Sequence, residues 1–258
     1  MSIEKELAQS WKNSGIANGD TVLLHSNIKN TYKKYLKIGV KITPEIILNS
    51  FLEAIGPEGT ILFPLFNFDF CNGVEFDIHN TKSSMGALTE AGRKYPGAVR
   101  TGHPVYSFSV IGKNKHLFSG VCNYSAYGED SPFAILHKEK AKIAVLGLSE
   151  NSSMTFYHYV EEACLVDYRY HKEFVGSYID AEGIKKERGF NIFVRDLNGG
   201  IETDVEPCGN LMWEKGLYSG NRFNQGNGLR VISAALLFEE ARSIIERNEA
   251  QGLLYRVK

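Results

Sequence analysis

Residues 141–163 read AKIAVLGLSENSSMTFYHYVEEA. The opening AKIAVLGL is the most apolar run in the chain and reads as a buried strand. It runs directly into a helical pattern holding His158, Glu161 and Glu162, for which Asn151, Ser152 or Ser153 is the expected N-cap. A strand feeding a helix is the unit of an α/β sheet, and such sheets place their ligand crevices just past the carboxyl ends of strands. The segment therefore points both to the fold class and to where chemistry would sit.

Positions 158, 161 and 162 are three and four apart, so in a helix both carboxylates can share the face of the imidazole. Three readings are open. One acid accepts from a ring N–H, fixes the tautomer and leaves the other nitrogen basic. Alternatively the group is a solvated helical ion pair. A metal pair would need further ligands. The HExxH spacing is absent, and His25 and His103 are the histidines that could converge from strand ends.

Working outward, punctuation is strong. IEKELAQSWKNSG has helical spacing and ends at Gly15, and Thr21–Leu24 reads as a strand delivering His25 and Ser26. Thr43 and Pro44 start a helix that stops at Gly56, and GTILFPLF is a second buried strand. Ser84 is the expected cap of MGALTEAGRKY, HPVYSFSVIG reads as a strand, and Ser131 and Pro132 start a helix through His137. Strands alternating with helices predict an α/β core with a parallel or mixed sheet. After Asp167, YHKEFVGSYID and GFNIFVRDL read as an antiparallel hairpin, and VISAALLFEEARSIIERNEA as a final long helix. The expectation is one domain over residues 1–258 with a β-rich elaboration at about 168–205.

The 258 residues carry a formal charge of -1, with 43% hydrophobic and 23% charged residues. That balance gives no electrostatic footprint for nucleic acid or an anionic membrane and favours a small-molecule partner. The charged first residues lack a signal-peptide core and no apolar run approaches a membrane span, so a cytoplasmic location is expected. Cys71, Cys122, Cys164 and Cys208 are widely spaced, as free thiols would be.

Two further segments bear on chemistry. HSNIK (residues 25–29) offers a hydroxyl, an amide, a lysine and backbone N–H groups suited to a phosphate, although no GxGxxG or GxxxxGK[ST] is present. In VRTGHPVYSFSVIG, Arg100 and His103 precede Pro104, and Ser107 and Ser109 share one side of the next strand. The pre-proline position confines His103 to extended backbone and aims its side chain. A GxSxG elbow is absent, which disfavours a serine nucleophile.

Together these segments stop being independent. MGALTEAGRKYPGAVRTGHPVYSFSVIG, YGEDSPFAIL and KIAVLGLSENSSMTFYHYVEEA occur in the order and spacing of the aminoglycoside 3-N-acetyltransferase (antibiotic N-acetyltransferase) family, which the chain resembles over about residues 5–165. The resemblance implies a layered αβα-type sandwich with a mixed central sheet, unrelated to the GNAT fold. It also implies an acyltransferase that moves an acetyl group from acetyl-CoA to an amine on a sugar-like ring, by direct transfer and without a metal. The family's T-x-x-H-x-x-E falls on Thr155, His158 and Glu161, implying His158 as general base, Glu161 as its orienter and Thr155 as a donor. Glu162 matches nothing catalytic and is assigned to solvent or a local salt bridge.

The G-x-x-R-S-x-HP segment lands on Gly97, Arg100, Thr101, His103 and Pro104, and the family's His-Ser-Ser becomes His25, Ser26 and Asn27. Ser26, Asn27, Arg100, Ser107 and Ser131 are accordingly expected at the CoA, and His103, Tyr168 and Tyr170 at the acceptor. Two acceptors stay open. Aminoglycosides are polycations and call for an acidic cleft, yet acids exceed bases by only one, 30 against 29. A nucleotide-linked amino sugar, as in surface polysaccharide synthesis, is the alternative. A catalytically silent binding protein and a metal-dependent hydrolase are the readings from other classes.

Overall fold

The computed structural model of the protein describes residues 2–258. From the amino terminus these form α1 (Ile3–Asn13), β1 (Thr21–Ser26), α2 (Lys29–Lys37), α3 (Pro44–Ile55), β2 (Thr60–Pro64), β3 (Phe76–Asp77) and α4 (Ala87–Arg93). There follow β4 (Val99–Arg100), β5 (Phe108–Gly112), α5 (Pro132–Lys138), β6 (Lys142–Leu146) and α6 (Phe156–Ala163). The remainder comprises β7 (Arg169–Ile179), β8 (Lys185–Arg195), β9 (Ile201–Thr203), α7 (Glu206–Glu214), β10 (Ser219–Gly220), β11 (Leu229–Ser233), α8 (Ala234–Glu246) and β12 (Tyr255–Val257).

The central sheet has the order β10-β11-β6-β1-β2-β5-β4. β6, β1 and β2 are parallel, while β5 and β11 run antiparallel to their neighbours, making the sheet mixed. Successive side chains of a strand face opposite sides. Leu23, Ile143 and Val145 accordingly enter one apolar layer, where α5, α6, α7 and α8 pack, and Val22, Leu24 and Ala144 enter the other, under α1, α3 and α4. Helices thus cover both faces, giving the three αβα layers. The chain leaves β1 towards β2 on one side and reaches β6 on the other. The crevice of an open sheet opens at this reversal, past Ser26 and Leu146, which are paired in register.

Beside this sheet, β3, β7 and β8 form a second one whose Tyr178, Phe190 and Phe193 join the layer of α6. The long β7–β8 hairpin lies where the alternating pattern after Asp167 placed it. Among the described residues no helix is long and apolar enough to cross a membrane. All four cysteines are free.

Three local expectations are corrected, and one helix is additional. α2 was not anticipated, because KNTYKKYLK buries only Thr31 and Tyr35, four residues apart, and leaves no apolar stripe. Ser84 does not cap α4: the helix starts at Ala87, and Ser83 makes the local bonds, its Oγ accepting from Met85 N and its own N–H donating to Glu90 Oε1. None of residues 151–153 caps α6, which begins after Thr155 without a side-chain cap. Asn151 instead accepts from Val205 N at the start of α7. The strand expected from His103 begins only at Phe108, because the His103 ring folds the intervening backbone around itself.

Gly92 in α4 lies on the ring of Phe63 in β2, where a Cβ would come within 2.5 Å of the ring. Gly92→Ala is expected to cost about 1–3 kcal/mol as the helix is pushed off the sheet. Denaturant unfolding would show it, and an unchanged midpoint would refute this account of the contact.

Candidate active site

α6 carries His158 one turn before Glu161, as the spacing required. His158 Nδ1 lies 2.7 Å from Glu161 Oε2, with Glu161 1% and the His158 side chain 20% exposed. An ionised carboxylate only accepts, so Nδ1 carries the proton and Nε2 keeps its lone pair. The first residue of β7, Arg169, brings its Nε to 2.7 Å from the same Oε2. The Nε–H is not aimed along that approach, which makes the contact ionic. The Arg169 Nη atoms donate to Phe193 O at 3.3 Å and Thr203 Oγ1 at 3.1 Å, so the guanidinium is pinned by the hairpin and β9.

Burial alone would raise the Glu161 carboxyl, but the Arg169 charge and the bonded His158 ring outweigh it and hold the group below its ordinary range. The His158 imidazole is lowered, first by burial and then by the Arg169 charge, with Glu161 partly offsetting both. A neutral imidazole with one fixed tautomer is the state of a resting general base.

His158 opens onto a cavity of about 370 Å³, shared with Phe68, Tyr106, Tyr127, Tyr170 and residues of the β7–β8 hairpin. The Tyr127 ring meets the imidazole edge-on with centroids 5.5 Å apart, and Tyr106 and Phe66 continue an aromatic wall towards His25 in β1. At that end of the wall His25 Nε2 and Ser26 Oγ are buried without a hydrogen-bond partner. Burial, then the Arg230 charge, lowers His25 to about 3.

The expected site residues fall into separate places. Tyr170 is 47% exposed and lines the His158 cavity. Tyr168 is buried behind it, stacked on Tyr255 at 4.0 Å, and its hydroxyl has no hydrogen-bond partner. Burial and then the Glu161 charge raise that phenol. Thr155 sits at the start of α6 and its carbonyl accepts from His158 N, leaving the hydroxyl free of any capping bond.

Asn27 lines a different groove, of about 770 Å³, with Gly147 and the loop 224–228. Gly147 belongs there because a Cβ would stand 2.5 Å from Asn27 O, at a φ of +64 that side chains resist. Arg100 and Ser107 meet each other. The guanidinium donates to Ser107 Oγ and to the carbonyls of Ile78 and Thr81, and burial lowers it to about 10. Ser131 is fully buried and caps α5 by accepting from Ala134 N.

His103 requires a correction as an acceptor residue. It is fully buried, its Nδ1 accepts from Val105 N and Tyr106 N, and its Nε2 donates to Asn191 O. No nitrogen remains for a substrate, and burial holds the ring down at about 3. Glu162 is likewise not solvated. It is 8% exposed and accepts from Ser125 Oγ at 2.6 Å, and burial raises its carboxyl. The roles of Arg169, Tyr106 and Tyr127 against the His158–Glu161 pair had no signal in spacing, since each arrives from another element. Among the described residues no cluster of three or more His, Cys, Asp or Glu has an arrangement that could hold a metal.

Residues 23–246 match the family model described as aminoglycoside 3-N-acetyltransferase. The SPbeta prophage-derived aminoglycoside N(3')-acetyltransferase-like protein YokD of Bacillus subtilis is 26% identical over 60% of this chain and 63% of its own length. Aminoglycoside N(3)-acetyltransferase VII of Streptomyces paromomycinus is 26% identical over 60% of this chain and 58% of its own length. The matched stretches thus span less than two thirds of these curated relatives. Among solved structures, aminoglycoside acetyltransferase AAC(3)-Xa superposes with a TM-score of 0.79 at 22% identity, over 95% of this chain and 92% of its own. AAC-IIIb in a binary complex with CoASH superposes with a TM-score of 0.77 at 20% identity, over 96% of this chain and 97% of its own. These likenesses show the fold.

Proposed function

This chain belongs to the aminoglycoside 3-N-acetyltransferase family, and from that premise we propose that it transfers an acetyl group from acetyl-CoA to an amine of an amino sugar or aminoglycoside. The observation that carries the reading is the neutral His158, tethered through Nδ1 to a buried Glu161 and facing a cavity with Nε2. His25 Nε2 and Ser26 Oγ, buried and unpartnered at the end of β1, are polar atoms of the kind a pantetheine amide would satisfy. Ring contacts through Tyr127, Tyr106 and Phe66 link them to His158, and these two unpartnered atoms are what supports an acyl-CoA beside the base.

Acetyl-CoA supplies the activated acyl group. His158 Nε2 takes a proton from the acceptor ammonium, freeing the nitrogen lone pair. The nitrogen bonds to the acyl carbon as the carbon–sulfur bond breaks; the proton held on Nε2 goes to the departing thiolate, and the freed Nε2 then takes the second proton from the new amide nitrogen and passes it to solvent. Glu161 keeps the tautomer and stabilises the transient imidazolium, while Arg169 keeps Glu161 ionised and in place. The backbone N–H groups and the Thr155 hydroxyl at the start of α6 are the candidate donors to the developing oxyanion. No covalent enzyme intermediate is required.

The test is release of free CoA thiol from acetyl-CoA across amine acceptors, with no acceleration by any amine as the result that ends the reading. Its pH dependence carries a further prediction. Burial and Arg169 disfavour the imidazolium, so the acid limb of kcat/KM is expected below the ordinary histidine value of 6.5. Arg169→Met removes a cation and should move the limb upwards. A wild-type limb above pH 7 would be incompatible with His158 as the base.

A further inference from the structure

The charge around His158 is the opposite of what a polycation needs. The cavity lining includes Arg169, Lys172 and Arg195 and no carboxylate. Ion pairs of the β7–β8 hairpin are Arg169 with Glu161, Lys185 with Glu75 and Lys186 with Asp180, and neither Lys172 nor Arg195 belongs to one. The register places Arg195 directly opposite Arg169. Like charges opposed across two strands cost a hairpin stability. Glu161 neutralises one of them, and Arg195, which lines the cavity, has no carboxylate partner among the described residues.

We propose that the acceptor carries an anionic group, a phosphate or carboxylate, close to its reacting amine, and that Arg195, on the Arg169 face of the hairpin, holds that group beside His158 while Lys172 meets it from the other face at the same cavity. This rests on the acyl-transfer reading above. Phe68 and Tyr170, each 47% exposed at the same cavity, offer flat apolar faces to a sugar or base ring. A sugar phosphate or nucleoside-diphosphate-linked amino sugar combines these features, whereas an aminoglycoside would bring several ammonium groups against two unpaired cations. CoA is the other source of phosphate. Its phosphates and its thioester lie at opposite ends of the pantetheine arm, while these cations share a cavity of about 370 Å³ with the base. The anion they meet is therefore the acceptor's.

The experiment compares glucosamine, glucosamine 6-phosphate, a nucleoside-diphosphate-linked amino sugar and sisomicin by thiol release, in wild type, Lys172→Glu and Arg195→Glu. An anion-bearing acceptor is expected to exceed glucosamine and sisomicin in kcat/KM by about tenfold or more, an advantage that salt reduces. Each charge reversal should raise that acceptor's KM by about tenfold with acetyl-CoA affinity, read by calorimetry, unchanged. Preference for sisomicin overturns the proposal. So do reversals that weaken acetyl-CoA binding while sparing acceptor KM, since the cations then serve CoA. Should no amine be turned over, calorimetry of the two anionic probes on CoA-saturated protein decides. Binding lost in the double reversal keeps the anion site while the transferase reading falls, and no binding overturns the site itself.

Discussion

His158→Ala is expected to lower kcat/KM for amine acetylation by about 10³-fold, within the range a positioned general base supplies. The acceptor reaches the cavity as an ammonium and has no lone pair until a proton leaves. Nε2 of His158 is the free base at that cavity, since Nδ1 is tied to Glu161. Two controls separate this role from a packing role. Acetyl-CoA affinity should be nearly intact, because the unpartnered groups of His25 and Ser26 lie at the other end of the aromatic wall. Turnover by the variant should also climb with pH, about tenfold per unit while the amine remains mostly protonated, because solution then performs the deprotonation. Turnover equal to wild type at neutral pH would remove His158 from the mechanism.

The legibility of the site in the sequence follows the range of the forces involved. The strand-to-helix segment 141–163 was readable because its apolar run and its three- and four-residue spacing are local. Spacing alone put both acids on the imidazole's face, and it could not rank them. The ranking comes from the β7–β8 hairpin and its surroundings: Arg169 takes Glu161, Ser125 takes Glu162, and both acids end up buried. α2 was missed for the opposite reason, since a helix that buries two residues has no periodic signal to read. The position of His103 before Pro104 does aim the ring, but inwards, onto the N–H groups of Val105 and Tyr106, which spacing does not reveal. Lys172 and Arg195 both lie within the β-rich elaboration. Their lack of acidic partners depends on tertiary pairing and became legible only in the fold.

Glu161→Gln separates the two tasks of the buried carboxylate and should show both losses. Where the glutamine presents its amide N–H to Nδ1 of His158, the tautomer switches so that Nε2 carries the proton and cannot act as base. By comparison with other histidine–carboxylate pairs, a fall of about 10³- to 10⁴-fold in kcat is expected. The same change strands Arg169, 5% exposed, without its counter-charge. Breaking a buried pair from one side typically costs about 3–5 kcal/mol. The acid dependence has a definite sign. Glu161 has a folded-state pKa below its ordinary 4.5, so its stabilisation is complete above pH 4.5 and is lost as pH falls through the folded value. The glutamine variant should lack that component of acid unfolding. Adding Arg169→Met replaces the stranded charge with an apolar side chain and should restore much of the stability at neutral pH. It does nothing for the tautomer, so turnover stays low. Denaturant unfolding and thiol release on the single and double variants read the two effects apart. A folded Glu161→Gln enzyme within tenfold of wild-type turnover would leave Glu161 a structural ion-pair partner and no orienter of His158.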